Sequence, residues 1–183
     1  MNANGMNDWR QQQEIMRLTS PWVTLVAERW VDQFDCEIDY WRVERPDSAI
    51  VVPVQAGELL LVTETFRPGV GRSTLDFPGG RIPVGKRPQD SIGLILEREL
   101  GVGAEFVSDM RPINSEGWIV DSSFSSQKLW GFEVEIDRRW CAPERCALTR
   151  VPVTNASIDM LVEQLTCLQC RALLLEWIKR RVF

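Results

Sequence analysis

The feature that most constrains the fold is the segment PGGRIPVGKRPQDSIGLILERELGV, from Pro78 to Val102. It places two adjacent glycines before residues 89–100, where apolar side chains recur at helical spacing. Asp90 and Ser91 offer side-chain oxygens for the N-cap of this helix. Gly101 suits its C-terminal end, because glycine adopts the left-handed conformation without a steric penalty. We therefore predict a strand, a glycine turn and a helix over 89–100.

The rest of the chain contains strands and helices without a regular strand–helix repeat. We predict a strand where apolar and polar residues alternate, or where a short apolar run ends at turn residues. The predicted strands are 21–32, 37–47, 48–54, 59–66, 73–78, 104–113, 117–123 and 127–137. One long C-terminal helix is predicted to start at 155–157. This order favours a mixed α/β (α+β) sandwich over a doubly wound parallel fold. Residues 1–19 are predicted to be a polar N-terminal segment, followed by a single domain over 20–183.

Composition excludes several classes of function. The net charge of −5 argues against binding nucleic acid through its phosphates. Apolar runs are too short for a membrane-spanning helix, and the polar N-terminus does not look like a secretory signal, so we expect a cytoplasmic protein. The chain has no histidine, which removes the usual proton carrier at neutral pH and rules out Ser-His or Cys-His catalysis.

The 78–102 segment resembles the signature of the Nudix hydrolases, G-x5-E-x7-R-E-U-x-E-E-x-G-U, where U is a bulky aliphatic residue. With Gly80 as the first glycine, Leu96, Gly101 and Val102 fall on their expected positions. The stretches VVPVQAGELLLVTETFRPGVG and ASIDMLVEQLTCLQCRALLLEWI resemble the central hairpin and terminal helix of the ADP-ribose pyrophosphatase branch. The resemblance implies a Nudix α/β/α sandwich with a mixed central sheet, and a homodimer.

The acids that such an enzyme uses to hold metal are mostly replaced. Lys86 stands at the first acid, Leu94 and Ile95 at the Arg-Glu pair, and Arg98 at the first residue of the Glu-Glu pair, so Glu99 alone matches. At ~4 Å and an effective dielectric constant of about 20, two unit charges interact by about 4 kcal/mol, so a guanidinium at this place repels a divalent cation. We therefore expect a catalytically impaired protein with no metal cofactor.

Two interpretations of this pocket stay open. In the first, it binds or senses an anionic nucleotide diphosphate such as ADP-ribose, because Arg and Lys side chains bind phosphate. The predicted ligand-binding residues are Arg67, Gly79, Gly80, Lys86, Arg98 and Glu99. In the second, Arg98 pairs with Glu99 or Asp90 and the pocket is vestigial.

An active pyrophosphohydrolase is the alternative function. It would use Glu99 as its catalytic and metal-binding acid, with Mg²⁺ or Mn²⁺ and acids from distant loops such as Glu116 or Asp121. A further alternative is a subunit of a larger assembly, for which Trp22, Trp30 and Trp41 on the N-terminal strands offer aromatic contact residues.

The five cysteines allow two interpretations as well. The paired spacings of Cys141 with Cys146 and of Cys167 with Cys170 could provide four thiolates for zinc. Ordinary reduced cysteines, mostly buried, are the simpler interpretation, because two cysteines three residues apart share one helix face in any case.

Overall fold

The computed structural model describes residues 9–144 and 146–182, so residues 1–8 of the predicted N-terminal segment lie outside the described residues. The contacts divide the chain into two units. The first unit comprises residues up to 45 together with 119–127, and the second comprises 46–118 together with 128 onwards.

The first unit is built around a three-stranded antiparallel sheet. Its strands are β1 (Arg10–Thr19), β2 (Thr24–Val31) and β3 (Glu37–Glu44), in the order β1-β2-β3. The two strands predicted over 21–32 and 37–47 are confirmed, and the polar run before them forms the edge strand β1. Every residue of β1 is exposed, whereas β2 buries Val26, Ala27 and Glu28.

The second unit contains a large mixed sheet and three helices. Its strands are β4 (Ser48–Gln55), β5 (Glu58–Arg67), β6 (Arg72–Asp76), β7 (Gly79–Arg81), β8 (Val107–Pro112), β10 (Lys128–Ile136) and β11 (Leu148–Pro152). The short strand β9 (Trp118–Ile119) occurs where the two units meet along the chain. The main strand order is β11-β5-β4-β10-β8, with β6 beside β5 and β7 beside β4. Only β4 and β10 run parallel among these pairs, which makes the sheet mixed as predicted.

Helices cover both faces of this sheet. Helix α1 (Ile92–Leu100) buries the residues at helical spacing Ile92, Ile95, Leu96 and Leu100. They pack in one cluster with Ala49 and Val51 of β4 and with Phe132 and Val134 of β10. On β10, Gly131 precedes Phe132 and so faces the other side of the sheet, where it lies against Leu173 of helix α3 (Leu168–Val182), and a Cβ at that glycine would overlap the leucine. Because both faces are covered, β4 is buried along nearly its whole length.

The ends of the predicted helix at 89–100 differ in part from expectation. Residues Pro88–Ser91 form a 3-10 turn, and neither Asp90 nor Ser91 caps the helix through its side chain. Asp90 is instead paired with Arg87, which is three residues earlier on the chain. The C-terminal end is as predicted, because Gly101 is left-handed at φ 71° and its N–H donates to the carbonyl of Glu97.

The single C-terminal helix was a wrong prediction, because the chain breaks it at 165–167. Helix α2 (Asn155–Gln164) and Leu165 bury Ile158, Leu161 and Leu165. If the helix continued without a break, residue 168 would lie on the same buried face as these three residues, but Leu168 is 74% exposed. The residues that α3 buries are instead Cys170, Leu173, Leu174 and Trp177. The break shifts the buried face, and strand β11 just before α2 was also missed.

Candidate functional site

The glycine pair lies in strand β7 beside helix α1, so the predicted glycine turn was wrong. In β7, Gly79 stands opposite Ile50 and Gly80 opposite Ala49 of β4. A Cβ on Gly80 would lie 2.9 Å from Nη2 of Arg98 and 3.1 Å from Cγ1 of Ile95. A side chain at position 80 would therefore displace the flexible guanidinium of Arg98 and press on the buried Ile95 of α1, which favours glycine there.

Arg98 connects helix α1 to this strand. Its Nη2 donates to the carbonyl oxygen of Gly79 at 2.8 Å, and its Nε donates to Oε1 of Glu99 at 2.8 Å. The side chain remains 58% exposed. Of the two pairings considered for Arg98, the structure has the one with Glu99. Asp90 is occupied by Arg87, whose guanidinium lowers the pKa of that carboxyl.

The positions that would face a metal are apolar or already engaged. Ile95 is only 2% exposed and packs in the core, while Leu94 points to solvent and is 64% exposed. Neither side chain has an oxygen to offer a hard cation. Across residues 9–144 and 146–182, Glu99 belongs to no group of three acidic or thiol side chains close enough to hold one ion.

The distant acids considered for catalysis have local roles in the structure. Glu116 is exposed, and its backbone carbonyl accepts a hydrogen bond from Nδ2 of Asn114 at 2.7 Å. Asp121, in the first unit, accepts hydrogen bonds at Oδ1 from the N–H and the hydroxyl of Ser123, at 3.1 and 2.8 Å. The contact at Glu116 involves its backbone only, whereas the carboxylate of Asp121 fixes its own loop.

The guanidinium of Arg67 is paired with the carboxylate of Asp76. Its Nε and Nη2 donate to Oδ2 of Asp76 at 3.1 and 2.8 Å, and the hydroxyl of Thr74 donates to the same oxygen at 2.9 Å. Arg67 and Arg98 thus belong to two different sets of contacts.

Lys86 lies in the exposed turn between β7 and the 3-10 turn. Its N–H donates to the carbonyl of Pro83 at 3.0 Å, and Gly85 beside it is left-handed at φ 78°. The side chain forms no ion pair within 4.0 Å in the part of the chain that the structure describes. Lys86 is therefore a solvated cation in the turn leading to α1.

Comparison with known proteins gives structural neighbours but no match by sequence. No protein-family model matches the sequence, and no curated protein matches it. The crystal structure of an ADP compounds hydrolase superposes with a TM-score of 0.78 at 18% identity, covering 98% of both chains. The chain has a Nudix-like fold. At this identity the likeness shows the fold alone, which confirms the mixed α/β fold that the resemblance implies.

Within the Nudix-like fold, the structure gathers a second cluster that the sequence did not predict. The ligand-type atoms of Asp76, Cys167 and Cys170 all lie within 4.8 Å of one another. Neither Cys141 nor Cys146 belongs to this group, so the predicted four-cysteine zinc site is not formed by the described residues. No local sequence signal relates Asp76 to these two cysteines, because Cys170 lies 94 residues further along the chain.

Proposed function

We propose that this protein binds an anionic nucleotide diphosphate of the ADP-ribose type and hydrolyses it poorly or not at all. The observation that carries the proposal is the position of Arg98 between Gly79 and Glu99. A guanidinium at this corner can bind phosphate oxygens without a bridging metal ion. The Nudix-like fold and the ADP compounds named for the structural neighbour support the choice of ligand.

The local chemistry supports binding more than hydrolysis. Nε and Nη2 of Arg98 are engaged by Glu99 and Gly79, so Nη1 is the donor that would meet a phosphate oxygen. Lys86 adds a second positive charge from the exposed turn. Activation of water by metal would need further carboxylates close to Glu99, where Ile95 offers only hydrocarbon.

The test is isothermal titration of the purified chain with ADP-ribose, with and without Mg²⁺. We expect binding that does not require the metal. Heats that stay at the level of dilution up to millimolar ADP-ribose would contradict the proposal.

Hydrolysis is measured separately, because it is the alternative function. We expect AMP release from ADP-ribose with Mg²⁺ or Mn²⁺ to stay near the rate without enzyme. Turnover that Glu99→Gln abolishes would establish the pyrophosphohydrolase instead, and Glu116→Gln and Asp121→Asn would then identify its other acids.

A second candidate function is protein interaction through the edge strand β1. All of its residues are exposed, including the apolar Ile15, Met16 and Leu18. An exposed edge strand with apolar side chains is a template for pairing with another chain. We propose a second copy as its partner, and multi-angle light scattering should then give twice the 21.0 kDa of one chain. Leu18→Lys should shift the mass to one chain, while the equally apolar and exposed Leu175→Lys on α3 should leave it unchanged.

In the part of the chain that the structure describes, no helix is both long enough and apolar enough to span a bilayer.

A further inference from the structure

The break between α2 and α3 places a cysteine pair at the N-terminus of a long helix. Cys167 immediately precedes Leu168, the first residue of α3, and its carbonyl accepts from the N–H of Arg171 at 3.0 Å. The first N–H groups of a helix have no intrahelical partners, so Cys167 stands at the positive end of α3.

The two sulfurs have different environments. Cys170 is 2% exposed, whereas Cys167 is partly exposed and can be reached by a small molecule. The two sulfur atoms lie within 4.8 Å of each other. Such a pair, with one accessible and one buried sulfur close together, has the arrangement needed for a nucleophilic thiol and a resolving thiol.

A buried carboxylate completes the cluster. Oδ1 of Asp76 lies 3.9 Å from the sulfur of Cys170, and Asp76 is 8% exposed. The other oxygen, Oδ2, is held by Arg67 and Thr74. These contacts orient the carboxylate so that Oδ1 remains directed at the buried thiol.

We propose that Cys167 and Cys170 are a redox-active dithiol that closes to a disulfide, with Asp76 as the proton acceptor for Cys170. The co-reactant is a low-molecular-weight disulfide, R–S–S–R. The Cys167 thiolate attacks one of its sulfurs, forming Cys167–S–S–R and releasing one RS⁻. Cys170 then gives its proton to Asp76, attacks the Cys167 sulfur and expels the second RS⁻. The protein dithiol loses two electrons, and the small disulfide gains them.

The acidities of the two thiols agree with these roles. Contact with the Cys170 thiol and with the helix N–H groups lowers the pKa of Cys167 to about 6. The neighbouring Cys167 sulfur and burial raise the pKa of Cys170. The accessible sulfur is therefore the thiolate at neutral pH, and the buried sulfur keeps its proton until a base removes it.

A metal ion is the competing occupant of this cluster, because two thiolates and a carboxylate can ligate zinc. The guanidinium of Arg67 binds the same carboxylate and adds a positive charge on that side, which disfavours a divalent cation. The accessible Cys167 and the contact between the sulfurs favour the dithiol.

The experiment treats the full reduced chain with oxidised glutathione and maps disulfides by mass spectrometry of its peptides. We expect a Cys167–Cys170 disulfide to form at least tenfold faster than any modification of Cys36 or Cys141, which are the exposed cysteines. This comparison is internal to the wild-type chain and does not depend on the folding of a variant. Equal modification of all the exposed cysteines, without a 167–170 linkage, would overturn the proposal.

Variants separate the roles of the three residues. Cys170→Ser should stop the reaction at the Cys167–glutathione mixed disulfide, and Asp76→Asn should make that species accumulate by slowing the second step about tenfold. Cys141→Ser is the control and should behave as wild type. Prompt resolution in Asp76→Asn would remove Asp76 from the mechanism.

Native mass spectrometry of the chain purified without chelator tests the metal. We expect the mass of the metal-free chain. Stoichiometric zinc that Cys167→Ser removes would replace the dithiol with a metal site. Neither result bears on ADP-ribose binding, which is measured on the reduced chain.

Discussion

The guanidinium of Arg98 holds the carboxylate of Glu99, its neighbour in the chain, with Nε 2.8 Å from Oε1. Consecutive residues on a helix do not face each other. The arginine side chain must therefore bend around the helix surface to make this contact. A pair this exposed adds at most about 1 kcal/mol to stability. Its importance is chemical, because it engages the one acid of the Nudix signature that the chain retains.

Replacing Arg98 should weaken the binding of ADP-ribose. Arg98→Ala removes one charge-assisted hydrogen bond to phosphate, which is worth about 1.5 kcal/mol, or roughly a tenfold increase in Kd. Titration calorimetry measures the change. Arg87→Ala is the matched control, because Arg87 is also an exposed arginine paired with a neighbouring acid. An equal loss in both variants would mean that only the general positive charge matters.

Adding a methyl group at Gly80 should destabilise the protein. The new Cβ would lie 3.1 Å from Cγ1 of the buried Ile95, and overpacking of this kind costs about 1 kcal/mol, whereas the flexible guanidinium of Arg98, 2.9 Å from the Cβ, can move aside. Gly93→Ala is the control, since a Cβ there meets nothing within 4 Å and lies in helix α1. It should stabilise by about 0.5–1 kcal/mol. Urea unfolding of both variants checks the opposite signs.

The buried Glu28 should contribute to stability in a pH-dependent way. Its two oxygens accept from Nη2 and Nε of Arg42, each at 2.9 Å, and this arginine lowers the pKa of Glu28. A carboxyl with a lowered pKa in the folded state stabilises above its unfolded value of about 4.3, and the stabilisation is lost as the pH falls through the folded value.

Glu28→Gln should therefore reduce the free energy of unfolding at pH 7 by about 3 kcal/mol, as expected for removing one partner of a buried pair. The difference from wild type should shrink in acid. Glu14→Gln, in an exposed pair with Arg17, should cost less than about 1 kcal/mol. A Glu28→Gln effect that does not change between pH 7 and pH 3 would contradict the assignment.

The alkylation of Cys167 should stay fast below neutral pH. With a pKa of about 6, Cys167 is mainly thiolate at pH 7, and the rate should fall only as the pH drops through 6. An ordinary cysteine has a pKa of about 8.5, so its reactivity already falls at a pH two to three units higher. The groups that face this sulfur are the Cys170 thiol and the Asp76 carboxylate.

Iodoacetamide labelling, resolved by peptide, gives the rate at Cys167 alone. In Cys170→Ser, a hydroxyl replaces the thiol donor. The plot of the Cys167 labelling rate against pH should then have a shifted midpoint but the same shape. A midpoint for wild-type Cys167 near 8.5 would show that the helix N-terminus does not activate this sulfur.

Local patterns in the sequence were enough for much of the second unit. The helical spacing of Ile92, Ile95 and Leu96 predicted α1, and Gly101 predicted its end. The adjacent glycines were predicted to form a turn, but they lie in strand β7 beside α1. The start and end of this helix depend on residues within a few turns of each other, so the local sequence is enough to predict them.

Other features depended on contacts between distant segments. The break before α3 is set by which residues face the sheet, and no glycine or proline marks it at 165–167. Arg67 was predicted to bind a ligand but binds Asp76, and Asp76 in turn meets Cys170 across 94 positions of sequence.

The amino-acid order by itself therefore determined α1 with its glycine end and most of the strands, but not β1, β7 or β11. The packing of β6 against β5 and of α3 against the sheet decided which charges pair and which thiols meet a carboxylate. The physical reason is range. Periodicity and turn chemistry act between near neighbours, whereas the partner of a charged or nucleophilic group is chosen by whatever the fold brings within a few ångströms of it.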